Sequence, residues 1–187
     1  MLSVTTMGAG ATTADLRALV EGHEPTSTRE VESRRSFLAE LDRLTAPCDE
    51  DADATHVTAS GIVVGPRGTV LHRHKRLGIW MQPGGHIDAG EPPADAARRE
   101  AMEELGLAVA HPAGGPQLVH VDVHDAARGH THLDLRFLLV ADDADPQPPP
   151  GESPDARWCD WDEARALADV ALVDALPVAR AAYQELS

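Results

Sequence analysis

The chain has 187 residues, 42% of them hydrophobic but only 3% aromatic, enough for one domain with an extension and a core of Val, Leu, Ile and Ala. Sixteen Lys and Arg stand against 31 Asp and Glu, and the net charge of −15 argues against a nucleic-acid backbone or an anionic membrane as main partner. A small phosphorylated substrate stays open, because a bound cation reverses the local field.

Cys48 and Cys159 lie far apart and form neither a disulfide framework nor a metal-ligand spacing, which makes a reducing, cytoplasmic setting the default. The opening MLSVTTMGAGATTA has no basic region and no long apolar stretch, so it reads as a loose tail rather than a signal peptide or membrane span.

Thr13 to Glu21 reads as a short helix with Leu16, Leu19 and Val20 on one side, ended by Gly22 and Pro25. Ser27 opens a second helix, with Glu30 three residues on as a capping box. Val31, Phe37, Leu38, Leu41 and Leu44 recur at near-helical spacing until Pro47. The acidic run Asp49 to Asp53 reads as a solvated linker. Residues 1–50 are therefore expected to form a helical extension, packed on a main domain at 54–187 or on a second copy of the chain.

From His56 the pattern turns to strands: Val57 to Val64, a turn at Gly65-Pro66-Arg67-Gly68, Thr69 to Lys75, and a short Ile79 to Met81 leading into Pro83-Gly84-Gly85. A helix follows, then a hairpin of Leu118 to His124 and His130 to Val140 around the turn Asp125 to Gly129. Asp142 to Pro154 is an acidic, proline-rich loop, Arg157 to Trp161 a last strand, and Asp162 to Ala168 and Leu172 to Leu186 closing helices. The mixture argues an α/β sandwich with a mixed sheet.

The helix after Gly85 carries the chemistry. Pro92 and Pro93 suit its first turn and Gly106 the position past its end. Ala94, Ala97, Ala101 and Leu105 form a narrow apolar stripe that lets it approach a sheet closely. At about 100° per residue, Glu100, Glu103 and Glu104 share another side. Three carboxylates within a turn repel one another unless a hard divalent cation such as Mg²⁺ draws them together, and Arg99 is placed to brace Glu100 or reach Glu103.

Gly85, Glu91, Arg99, Glu100, Glu103, Glu104, Gly106 and Leu107 match the Nudix box, G-x5-E-x7-R-E-U-x-E-E-x-G-U, with U a bulky aliphatic residue. The one departure is Ala101 at the first U, a packing position. Trp80-x-x-Pro83-Gly84-Gly85 and Arg157-Trp158 with Asp162-Glu163-Ala164 resemble the family's flanks, so the resemblance spans roughly residues 55–170. It implies a Nudix-type α-β-α sandwich and metal-dependent hydrolysis of a nucleoside diphosphate linked to a moiety X. It further implies Mg²⁺ (or Mn²⁺) on the Gly85 carbonyl, Glu100, Glu103 and Glu104, with Arg99 orienting the cluster and Glu91 supporting the loop or an additional metal. Glu103 or Glu104 would be the general base, though the base varies within the family and another loop could supply it. Gly84, Glu91 and His86 are candidate substrate contacts.

The hairpin is the second feature. With Asp125–Gly129 as the turn, His124 would face His130, Asp122 would face His132, His120 would face Asp134 and Leu118 would face Arg136. Val119, Val121, Val123, Leu133, Leu135, Phe137 and Leu139 would lie on the opposite, buried face. The polar face is either a solvated surface, a substrate-binding wall in which His124, His132 and Arg136 meet phosphate, ribose or base, or a second metal site using His124, His130, His132 or Asp134. His86 could join either of the last two. His72 and His74 read as structural.

A Nudix-fold binding or regulatory module without hydrolysis is the competing function. A prenyl diphosphate isomerase would want a reactive cysteine, and neither Cys48 nor Cys159 has a catalytic context. The expected partner is a small nucleoside diphosphate derivative, with no nucleic acid and no membrane. A homodimer is compatible with the N-terminal helices.

Overall fold

The computed structural model describes residues 11–186, so most of the expected N-terminal tail lies outside the described residues. In chain order the elements are α1 (Thr13–Glu21), α2 (Thr28–Leu41), β1 (Thr55–Gly65), β2 (Gly68–Arg73), β3 (Trp80–Met81), β4 (Gly84–His86), α3 (Pro93–Leu105), β5 (Val109–Ala110), β6 (Leu118–Asp125), β7 (Thr131–Ala141), β8 (Ala156–Cys159), α4 (Trp161–Leu167) and α5 (Val170–Gln184).

β1 and β7 are the longest strands and run parallel at the centre of the sheet, paired from Thr55 with Thr131 to Val64 with Val140. Helices cover both faces, so these strands are buried on both sides and carry apolar residues almost continuously. On one face Val57, Ala59, Val121, Leu133, Leu135 and Phe137 pack against Leu16, Val20, Phe37, Leu41, Ala96 and Ala97 of α1, α2 and α3. On the other, Ile62, Val64, Leu71 and Leu138 meet Ala164, Leu172, Ala175, Leu176 and Ala179 of α4 and α5. This is the expected α-β-α sandwich on a mixed sheet. Every remaining strand pairing is antiparallel: β2 and β4 with β1, β3 and β8 with β2, and β5 and β6 with β7.

Small residues set the seat of α3. Ala96, Ala97 and Ala101 are fully buried, and a Cβ on Gly61 of β1 would fall 2.3 Å from Leu139 Cδ1. Gly106 ends the helix in the left-handed region at φ 57°, where a side chain would also strike the Gln147 carbonyl.

The N-terminal helices do more than cover a face. Among the described residues β6 pairs only with β7, so the N–H groups of Val121 and Val123 point away from the ladder. Glu30 Oε1 accepts from Val121 N–H at 3.0 Å and Ser33 Oγ from Val123 N–H at 3.3 Å. The polar side of α2 thus satisfies an edge that would otherwise recruit another strand.

Four expectations change. Ser27 does cap α2, accepting from Glu30 N–H, but the Glu30 carboxylate turns instead to His23, Thr26 and Val121. The reciprocal capping box is in α1, between Thr12 and Asp15. Val31 is exposed, so the apolar stripe of α2 runs through Phe37, Leu41 and Leu44. The hairpin register differs by two residues: His124 pairs with His132, Asp122 with Asp134 and His120 with Arg136. Ala126 N–H closes the turn onto the His130 carbonyl, with Arg128 at φ 63°, so the turn starts one residue later than expected and ends one later. A shift of two keeps each side chain on its face. Leu118 and Val119 exchange sides, because a bulge between Leu118 and His120 sends Val119 into the α5 cluster and Leu118 onto the face of Val121.

Candidate functional site

The spacing of the acidic helix becomes a compact constellation. β4 hydrogen-bonds to β1, pairing Gly84 with Ser60 and Gly85 with Ala59, and so lays both glycines beneath α3. A Cβ on Gly84 would sit 2.3 Å from Ser60 Cβ, and one on Gly85 would sit 2.7 Å from the Glu100 carboxyl carbon. Only glycine leaves room there for the carboxylate. Glu104 Oε2 accepts from Gly84 N–H at 2.9 Å.

Arg99 organises the rest. Its Nη1 reaches Glu100 Oε1 at 2.7 Å and Glu103 Oε2 at 3.1 Å, its Nη2 reaches Glu91 Oε2 at 2.9 Å, and the same Nη2 donates to the His86 carbonyl at 3.0 Å. One guanidinium therefore ties the loop to the helix and serves three carboxylates, the fork geometry that lysine lacks. Glu100 and Glu104 are mostly buried, whereas Glu103 is 58% exposed.

The electrostatics follow from that inventory. Burial pushes Glu104 up to about 7, partly offset by the Gly84 N–H and reinforced by the Glu100 charge. Burial also raises Glu100, against the pull of Arg99. For Glu91, burial is outweighed by the Arg99 hydrogen bonds and the group is lowered. The helix thus holds more negative charge than the chain neutralises, in a set of hard oxygen donors suited to a divalent cation.

A cleft of about 560 Å³ opens beside Gly84 and Gly85. His86, His124, His132 and Arg136 line it together, so the box loop and the hairpin residues share one concavity. Arg29, Arg76 and Arg128 add positive charge. Beneath them the hairpin's polar face is no solvated surface: His120, Asp122, Asp134 and Arg136 are buried. Asp134 accepts from Thr58 at 3.1 Å, Ser60 at 2.8 Å and Arg136 Nε at 3.0 Å. Asp122 accepts from Arg29 at 2.8 Å, Arg136 Nη2 at 3.1 Å and His124 at 2.9 Å. Burial opposes the Asp122 charge, but His124, Arg136 and Arg29 overcome it and hold the group well below the usual carboxylate range. Burial likewise opposes charge on His124, and Asp122 with Asp134 raises it nonetheless. Arg136 Nη1 has no partner among the described residues.

Several neighbours escape a reading of the sequence. His72 Nε2 lies 3.7 Å from Glu104 Oε2, brought there by the pairing of β2 with β1. Arg29 and Ser33 reach Asp122 from a helix about ninety residues away, and no local pattern announces that. His74, expected to be structural, accepts from the N–H groups of Arg76 and Leu77 and also lines the cleft. Both cysteines are free, and burial pushes each thiol up to about 11, so neither supplies a thiolate at neutral pH.

The family model described as NUDIX domain matches residues 54–180. An RNA pyrophosphohydrolase of Agrobacterium fabrum is 28% identical over 121 residues, 58% of this chain and 69% of that protein. One from Psychrobacter cryohalolentis is 43% identical over 63 residues, 33% of this chain and 36% of that protein. Among solved structures, a NUDIX-family hydrolase from Clostridium perfringens superposes with a TM-score of 0.58 at 27% identity, covering 68% of this chain and 97% of that one. A MutT NUDIX hydrolase from Burkholderia pseudomallei gives 0.53 at 28% identity, covering 64% and 95%. With most of its length matched by the family model and its sheet and helices arranged as in these structures, the chain belongs to the Nudix family.

Proposed function

We propose that this Nudix-type hydrolase cleaves the diphosphate linkage of a small nucleoside diphosphate derivative, with Mg²⁺ or Mn²⁺ as cofactor. The observation that carries the reading is the excess of carboxylate on α3, pressed against a glycine pair at the wall of a cleft that arginines and histidines also line. The Gly85 carbonyl and the carboxylates of Glu100, Glu103 and Glu104 would hold the ion. When bound, it neutralises diphosphate oxygens and activates water.

The protein's own groups do the positioning. Arg99 fixes Glu100, Glu103 and Glu91 relative to the His86 carbonyl, so the acidic oxygens are held before substrate arrives. Glu103 or Glu104 takes the proton from the attacking water. Glu104 is near neutrality in pKa when metal-free, and Glu103 is the more exposed. Gly84, His86, His124, His132 and Arg136 contact the phosphates or the nucleoside, with Arg136 Nη1 as a spare donor. Attack at phosphorus is then a matter of alignment and charge.

The test is a panel of NTPs, oxidised dNTPs, ADP-ribose, nucleotide sugars, dinucleoside polyphosphates and 5′-triphosphate RNA, with Mg²⁺ or Mn²⁺, followed by phosphate release. Turnover of a small nucleotide that disappears in Glu104→Gln is expected. RNA as the sole substrate would contradict the small-molecule reading, and wild-type binding without any turnover would favour the non-hydrolytic module.

A further inference from the structure

We propose that His56, His86 and His132 form a transition-metal site suited to Zn²⁺, distinct from the carboxylates of α3. One ring nitrogen from each lies within 4.8 Å of those of the other two. The rings come from three neighbouring strands, with β1 between β4 and β7, and the parallel register sets His56 directly beside His132. Their centroids are 5.1 Å (His56 to His86), 5.0 Å (His56 to His132) and 5.7 Å (His86 to His132) apart. Nitrogens bound tetrahedrally to zinc at ~2.0–2.1 Å are about 3.3 Å from one another. A modest ring rotation closes the difference, and His86, with 43% of its side chain exposed, has room to make it.

His56 supplies the independent observation. It is fully buried, and its Nδ1 lies 3.3 Å from the Asp53 carbonyl oxygen. With Nδ1–H donating there, Nε2 carries the lone pair, and that buried nitrogen has no partner among the described residues. A second ring nitrogen tethered to a backbone carbonyl is the usual way a metal-binding imidazole is oriented. Glu50 Oε2, 3.3 Å from His86 Nε2, brings the nearest carboxylate and would balance charge. Burial keeps His56 and His132 neutral, the form that binds metal. Imidazole nitrogens select zinc-like ions over Mg²⁺, which prefers oxygen. An ion here would stand beside Gly85 on the wall of the cleft. The site does not depend on the hydrolytic reading; with zinc bound, His86 and His132 would meet a substrate through the ion rather than directly.

Equilibrating the full chain with Zn²⁺ in excess Mg²⁺ and counting bound metal by mass spectrometry tests this. The variants are His86→Ala, His132→Ala and the double change Glu100→Gln with Glu104→Gln. About one tightly held zinc per chain is expected in the wild type and in the double glutamine variant. Affinity should fall at least about tenfold in either histidine variant. Co²⁺ in place of Zn²⁺ should give visible ligand-field bands that vanish in His86→Ala. His86 is near the surface, so a circular-dichroism melt of that metal-free variant should match the wild type. Should the wild type hold no zinc, or the histidine variants hold it as tightly, or the zinc be lost only with the glutamates, the proposal is overturned.

Discussion

Two acidic groups flank the same cleft and behave oppositely. On the hairpin, Asp122 and Asp134 are buried deeper than any box glutamate, yet Arg136, Arg29, His124, Thr58 and Ser60 meet them. At α3 and the loop before it, Glu91, Glu100 and Glu103 share Arg99, and Glu104 accepts a backbone N–H beside a neutral histidine, with the Lys75 charge only weakly offsetting its burial. The first set is closed by the chain itself. The second is left with charge for something else to neutralise. Burial alone therefore does not mark a functional carboxylate; burial without internal compensation does.

The contrast also reverses the response to pH. Glu104 has a folded pKa raised from 4.5 to about 7, so the folded state holds a proton that the unfolded state has released. Metal-free stability should then fall as pH rises between those values. Glu30, which ties α2 to the hairpin edge, is lowered from 4.5 to about 2: burial opposes its charge, and bonds from His23, Thr26 and Val121 prevail. Its contribution is present above 4.5 and lost as pH falls toward about 2.

The comparison breaks first at Glu104→Gln. Activity should drop by about 10²–10⁴-fold while the fold survives, measured as kcat/KM beside a thermal melt. Arg136→Ala should act on stability as well, destabilising the chain by about 3–5 kcal/mol in urea titration because Asp122 and Asp134 lose their shared partner. A destabilisation under ~1 kcal/mol would mean that the network is not the self-contained unit described. Arg99→Lys, which keeps the charge but not the fork, should weaken Mg²⁺ binding about 10–100-fold by calorimetry. The smallest effect is the pH dependence: between pH 5 and 8, metal-free wild type should lose a few degrees of Tm relative to Glu104→Gln, roughly as expected for 1–2 kcal/mol. Equal slopes would remove Glu104 as the titrating group.

The legible and illegible parts divide by where their partners come from. The box could be read because Glu100, Glu103 and Glu104 are set by the geometry of one helix, and Gly84 and Gly85 stand at a fixed spacing before it on the short strand β4. The hairpin's faces were readable from alternation, but its register was not, since a turn with Arg128 in the left-handed region moves the pairing without altering the pattern. Whether its polar face meets solvent depended on β1 and α2, whose Thr58, Ser60, Arg29 and Ser33 carry no local sign of that role. His56 lies within a strand of apolar neighbours, and only the parallel pairing with β7 brings it to His132.

The most direct test is a calorimetric titration of Mg²⁺ at pH 8, without substrate, into the wild type and the Glu100→Gln, Glu104→Gln double variant. The uncompensated charge on α3 should give saturable binding that weakens at least about tenfold in the variant. Equal affinity in both proteins, or none in the wild type, would contradict the account.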